Sequence, residues 1–280
     1  MEYLDEGSDE APLVGMAYGP IVTGLLERHR DLIDYVEVPF EQLRHHPPTA
    51  DIQDQVPIVL HCSSMSIAGF TEPSDATLDA IEGHVQRTLT PWIGEHLAYI
   101  TAADLDDPSA APTELTYTIA PQLSEETVER VATNLNRLRR RFTAPIILEN
   151  SPQYFAVPGS TMTMPAFVTE VARHCDVDLL LDITHFLITT SNMNLDPVAS
   201  IQQLPLERVV EVHLSGMSRQ SGRWWDDHAA FAPDEAFDLL AQITPRARPR
   251  AVTLEYNWAS TMPESVVVTH LRRTRELLSA

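Results

Sequence analysis

The chain has 280 residues, with 40 acidic side chains against 19 basic ones and a formal net charge of −21. That balance argues against nonspecific binding to nucleic acid or to anionic lipid. The chain has no lysine, so Schiff-base aldolase chemistry and lysine-anchored pyridoxal phosphate are excluded.

In chain order, the acidic stretch 1–10 lacks a basic-then-apolar signal pattern and reads as a frayed, disordered tail on a cytoplasmic protein. Residues 11–280 read as a single domain, since one α/β barrel takes roughly 250 residues. Eight short apolar runs follow: Leu13–Met16, Tyr35–Val38, Ile58–His61, Ile93–Leu97, Ile146–Glu149, Leu179–Asp182, Val209–Leu214 and Val252–Tyr256. None approaches the ~20 apolar residues that span a bilayer. Helical patterns lie between them near 20–30, 74–89, 124–141, 165–174, 196–203, 233–242 and 263–278. The connection 39–57 is rich in proline and shows no clear helix, while 101–118 is long and polar and suits a lid or a partner contact. Ser124-Glu-Glu-Thr opens its helix with acids, and Arg137, Arg139, Arg140 and Arg141 close it, as the helix dipole favours. Strands alternating with helices predict a parallel sheet closed as a (β/α)8 TIM barrel. A doubly wound open sheet is the alternative, but its usual glycine-rich first turn is missing, and no Walker-type loop is present.

The ends of these runs carry the chemistry. Glu37 lies on the second, His61 ends the third, Glu95-His96 sit on the fourth, and Glu149-Asn150 end the fifth. Asp182 ends the sixth with His185 just beyond, His213 lies on the seventh, Asp226-Asp-His228 follow it, and Glu255 is on the eighth. In a (β/α)8 barrel the C-terminal strand ends share one face. Any one of these histidines, taken alone, is more often hydrogen-bonded than metal-bound. Their coincidence at different strand ends points to cations instead, because so many unpaired polar groups beside a core are costly. Imidazoles with carboxylates suit Fe, Mn or Zn, and the ligands outnumber the six an octahedral ion takes, so two or three ions fit better. His29, His45, His46, His84, His174 and His270 fall in helices or loops and receive no role. Cys62 and Cys175 are far apart, which does not suit a disulfide framework; Cys62, beside His61, could serve as a ligand or a redox thiol but reads first as a small packed residue. Trp224 and Trp225 sit in a loop as a substrate wall or a cover for the barrel mouth.

Several short stretches occur in order: Glu37-Val-Pro-Phe, His61-Cys-Ser-Ser-Met-Ser, Gly94-Glu-His-Leu-Ala, Leu148-Glu-Asn, Leu181-Asp-Ile, Glu211-Val-His-Leu-Ser-Gly, Asp226-Asp-His228 and Leu254-Glu-Tyr. Together they resemble the multinuclear non-heme iron-dependent oxidative enzymes, the family that includes the methanobactin biosynthesis oxidase. The resemblance implies a TIM barrel with two or three iron ions and O2 as co-substrate. The chemistry it implies is oxidation of a residue, often cysteine, in a ribosomally made precursor peptide, usually with a partner protein that captures the peptide leader. It carries over His61, His96, Glu149, Asp182, His213, Asp226, His228 and Glu255 as metal ligands, with His61, His96, Asp182 and His185 nearest the chemistry. His185 stands where the family commonly has asparagine and enters as an added ligand; Cys62 stands where glycine is common.

Two rival readings remain open. One is a divalent-metal isomerase or hydrolase of the xylose isomerase-like or endonuclease IV-like type, which also gathers His, Asp and Glu at strand ends. The other is a non-catalytic metal-binding scaffold.

Overall fold

The structure, a computed structural model, describes residues 11–43, 49–103, 112–228, 230–256 and 262–279, without the Thr116 side chain. The tail assigned to 1–10, together with His45 and His46, lies outside these residues.

Twelve strands occur among the described residues: β1 Leu13–Ala17, β2 Tyr35–Pro39, β3 Ile58–Cys62, β4 Ile93–His96, β5 Tyr99–Ala102, β6 Thr113–Ile119, β7 Ile146–Glu149, β8 Leu179–Asp182, β9 Val209–Ser215, β10 Met217–Gln220, β11 Arg223–Asp226 and β12 Ala251–Glu255. Eight of them close a parallel barrel in the order β1-β12-β9-β8-β7-β4-β3-β2, which is the (β/α)8 architecture read from the sequence. The barrel strands are short and apolar because both faces are covered, one by the interior and one by helices; all five residues of β3 are buried. The helices are α1 Val22–His29, α2 Phe40–Leu43, α3 Thr49–Gln53, α4 Asp75–Thr88, α5 Glu125–Leu138, α6 Met164–Cys175, α7 Ile183–Met193, α8 Pro197–Ile201, α9 Asp234–Ala247 and α10 Glu264–Leu278. Ser74, Ser124 and Thr163 cap α4, α5 and α6 by accepting from the backbone N–H three residues on.

The apolar core has two parts. The larger lies between barrel and helices. The smaller fills the barrel floor with Tyr35, Val59, Trp92, Ile147, Leu180 and Ala251. Gly15 is glycine because a Cβ there would lie 2.5 Å from the Tyr35 ring.

Four expectations are corrected. The connection 39–57, read without a helix, contains α2 and α3. Of the long loop read at 101–118, residues 101–102 and 113–118 lie on the antiparallel pair β5 and β6. Trp224 and Trp225, assigned to a loop, lie on β11 of a second hairpin, β10–β11. The fourth is α7, which follows β8 without a break. Every residue from Ile183 to Thr190 is buried, so the helix has no polar face and no amphipathic period.

Candidate metal centre

Side chains at the C-terminal ends of the barrel strands converge on one mouth. Parallel register sets neighbours level: His96 on β4 faces Glu149 on β7, and Asp182 on β8 faces His213 on β9. His185 comes from the first turn of α7, Asp226 from the end of β11 and His228 from two residues further on. All nine residues picked from the sequence as ligands fall into overlapping groups whose ligand atoms lie within 4.8 Å of one another. The groups are His61–His96–Glu149, Glu149–Asp182–His185, Asp182–His213–Glu255 and His185–Asp226–His228.

Glu149 links three imidazoles. Its Oε2 is 3.2 Å from His61 Nε2 and 3.3 Å from His96 Nε2, and its Oε1 is 3.0 Å from His185 Nδ1. Yet neither oxygen has a partner in hydrogen-bond geometry, although Glu149 is buried. Asp182 Oδ2, His61 Nδ1, His213 Nδ1, Asp226 Oδ1 and His228 Nδ1 are likewise buried and unpartnered. Orphaned atoms of this kind are rare in proteins and costly. Gathered in one cluster of imidazoles and carboxylates, they fit divalent transition-metal cations.

The far ring nitrogens are held elsewhere. His96 Nδ1 donates to the Cys62 carbonyl at 3.2 Å, and His185 Nδ1, the atom that also faces Glu149, donates to the Asn150 carbonyl at 3.0 Å. His213 Nε2 donates to Glu37 Oε2 at 3.0 Å. These contacts leave His96 Nε2, His185 Nε2 and His213 Nδ1 facing the carboxylates, the arrangement that outer partners give metal-binding histidines. Asn150 fixes the Asp182 backbone through Nδ2 to the carbonyl, 2.9 Å, and Oδ1 from the N–H, 3.0 Å. Asp182 Oδ1 accepts from His185 N and so caps α7, leaving Oδ2 for the mouth. His228 holds a left-handed backbone, φ 48°.

Without a cation the cluster is an array of ion pairs. Burial works against the charge on His61, but Glu37 and Glu149 outweigh it and raise its pKa to about 10. Asp226 and Glu255 do the same for His228, against burial, also to about 10. Burial likewise opposes ionisation of Glu255, yet His228 and His213 hold it down at about 2. Burial dominates at Asp182 and Glu37, each pushed up to about 7. A metal entering here displaces protons.

Sequence reasoning noted Glu37 but gave it no role, and missed Glu211. Each is a lone acid in an otherwise apolar run, and that was the signal. Glu211 lies below His213 inside the barrel, held by Trp92 Nε1 at 2.7 Å, Thr253 Oγ1 at 2.7 Å and Tyr35 Oη at 3.2 Å. Cys62 is fully buried and Cys175 is buried, and both are free thiols. The histidines without a role stay out of the mouth: His29 meets Glu264, His84 meets Arg87, His174 meets Glu129 and His270 meets Tyr256. Trp225 stacks on Tyr154 at 4.3 Å beside Asp226, half-buried at the rim.

Comparison with known proteins places the chain in a family. The family described as RiPP precursor modification enzyme MbnB/TglH/ChrH matches residues 14–278. A UPF0276 protein of Anaeromyxobacter sp. is 30% identical over 230 residues, covering 82% of this chain and 78% of the relative. A UPF0276 protein of Streptomyces avermitilis is 26% identical over 246 residues, covering 86% of this chain but only 50% of the relative's length. Among solved structures, a 3-keto-D-glucoside 4-epimerase from E. coli superposes with a TM-score of 0.58 at 13% identity, covering 96% of this chain and 100% of its own. An endonuclease IV from Thermus thermophilus gives 0.55 at 15% identity, covering 96% and 99%. At such identities these structures are similar in fold alone.

Proposed function

Because the chain belongs to the RiPP precursor modification enzyme family MbnB/TglH/ChrH, the multinuclear non-heme iron group that its motifs resemble, we propose that it oxidises a residue of a ribosomally made precursor peptide, with two or three iron ions and O2. The preferred target is cysteine, whose thiolate is a good ligand for such a metal. A leader-binding partner protein and a cytoplasmic location belong to the same proposal. The observation that carries it is the cluster of buried, unpartnered carboxylate and imidazole atoms at one barrel mouth.

His61, His96 and Glu149 would hold one ion, and Asp182, His213 and Glu255 a second. His185, Asp226 and His228 would complete a third position, with Glu149 and Asp182 shared between neighbours. Bound iron supplies the one-electron steps that organic side chains lack. The chain's own residues do the rest. His96 and His213 keep one nitrogen free because carbonyl or carboxylate partners hold the other, and His185, held at Nδ1 by the Asn150 carbonyl, turns Nε2 to Asp226. Asp182 is kept in place by its cap to α7 and by Asn150. The apolar floor below, with Tyr35 and Trp92, keeps bulk water from entering beneath the site. The mouth is left as the way in for the peptide.

The test is anaerobic loading with ferrous iron, then exposure to O2 with a candidate precursor peptide and its partner, read by mass spectrometry. A changed peptide mass that requires both iron and O2 supports the reading; an unchanged mass with fully loaded enzyme counts against it. The fold likeness to sugar epimerases favours a second reading, a divalent-metal isomerase or hydrolase. Full turnover with Mg, Mn or Zn and no O2 would select it.

A further inference from the structure

Glu37 lies outside the proposed ligand set, yet it is 0% exposed and sits directly behind it. Its Oε2 accepts from His213 Nε2. Its Oε1 and His61 Nδ1 are both buried without a partner, and Glu37, His61 and His213 form a group with ligand atoms within 4.8 Å. The two imidazoles serve different cation positions. His61 Nε2 faces Glu149 at 3.2 Å, and His213 Nδ1 faces Glu255 at 3.3 Å. One carboxylate therefore stands behind two metal groups at once.

The surroundings keep it there. A Cβ at position 94 would lie 2.6 Å from His61 Nδ1, so Gly94 leaves that side of the ring open. Below, Glu211 Oε1 is 3.6 Å from His213 Nε2 and is pinned by Trp92, Thr253 and Tyr35. An imidazole whose far nitrogen is held by a carboxylate has its tautomer and ring orientation fixed and becomes a stronger donor to the metal.

We propose that Glu37 is a positioning residue shared by two metal positions: Oε2 holds His213 Nε2–H, and Oε1 takes the Nδ1–H of His61 once a cation occupies Nε2. This rests on the ligand assignment proposed above. It adds that the two positions are coupled through one side chain that binds neither ion.

The test is metal titration of the purified full chain with Co(II), against a competing chelator and by visible spectroscopy. Glu37→Gln should keep the ion count but weaken both positions by about 10- to 100-fold, with an altered cobalt spectrum. Thr274→Val is the control: Thr274 is equally buried but donates to the His270 carbonyl within α10, away from the mouth, and should leave affinity and spectrum unchanged. Loss of a whole ion in Glu37→Gln would make Glu37 a ligand and overturn the proposal. So would wild-type affinity, or an equal loss in Thr274→Val. If Glu37→Gln does not fold, Glu37→Asp keeps the charge, withdraws it by one methylene and should still weaken both positions; wild-type affinity there would also overturn the proposal. A wild-type chain that binds no Co(II) at all would instead sink the ligand assignment beneath it.

Discussion

Glu149 is the residue on which the cluster turns, because His61, His96 and His185 all approach it and nothing else satisfies its oxygens. Glu149→Gln replaces one acceptor with an amide donor and should cost at least one bound ion per chain, read by elemental analysis of protein loaded under the same conditions. Protonation gives a second expectation. In the metal-free site His61 and His228 are raised from 6.5 to about 10, and Glu37 and Asp182 from ordinary carboxyl values to about 7. A folded-state pKa above the unfolded one contributes stability that is lost as pH rises between the two values. Glu37 and Asp182 lose their contribution between about 4 and 7, and His61 and His228 lose theirs between 6.5 and about 10, so metal-free protein should melt at lower temperature at pH 9 than at pH 6.5 chiefly through the two histidines. Metal binding runs the other way, since the ion displaces those protons, and should tighten as pH rises. Thermal melts with and without metal across that range check both slopes; parallel slopes would contradict the assignment.

At the level of elements, β8 and α7 join the fold to the site. Asp182 both ends the strand and caps the helix, with separate oxygens for each task. Asp182→Ala should lose the metal and about 1 kcal/mol of cap, whereas Asp182→Ser should lose the metal and keep most of the cap, a difference visible in the melting temperature of metal-free protein. Phe186 is fully buried on α7, and Phe186→Ala should cost about 3–5 kcal/mol in chemical denaturation. The same helix marks the limit of what the sequence disclosed. The eight barrel strands were legible because buried parallel strands are short apolar runs bounded by polar ends, and those ends were the site residues. Helix α7 was not, because a helix buried all round has no period to read. The hairpin at β10–β11 was also hidden: its alternation is interrupted by Arg223 and two adjacent tryptophans, and its pairing depends on the turn at Ser221-Gly222, where both residues have positive φ. Glu37 and Glu211 show a third limit. A lone acid in a buried strand signals that something polar lies inside the barrel, but not which imidazole it meets.

For the whole molecule, closing eight strands around a filled floor brings residues from 37 to 255 within reach of each other. The net charge of −21 works against compaction and favours cation uptake, so the metals and the fold should support each other. Free metal at about 100 times its dissociation constant adds about 2.7 kcal/mol per site to stability. Chelation should then lower the melting temperature by about 5–10 °C for each site emptied. The most direct test of the central claim is elemental analysis with Mössbauer spectroscopy on protein purified and iron-loaded without oxygen. Two or three irons per chain in nitrogen and oxygen ligation, with the count falling in Glu149→Gln, is the expected result. Fewer than one bound transition metal per chain, or a count indifferent to Glu149, would contradict it.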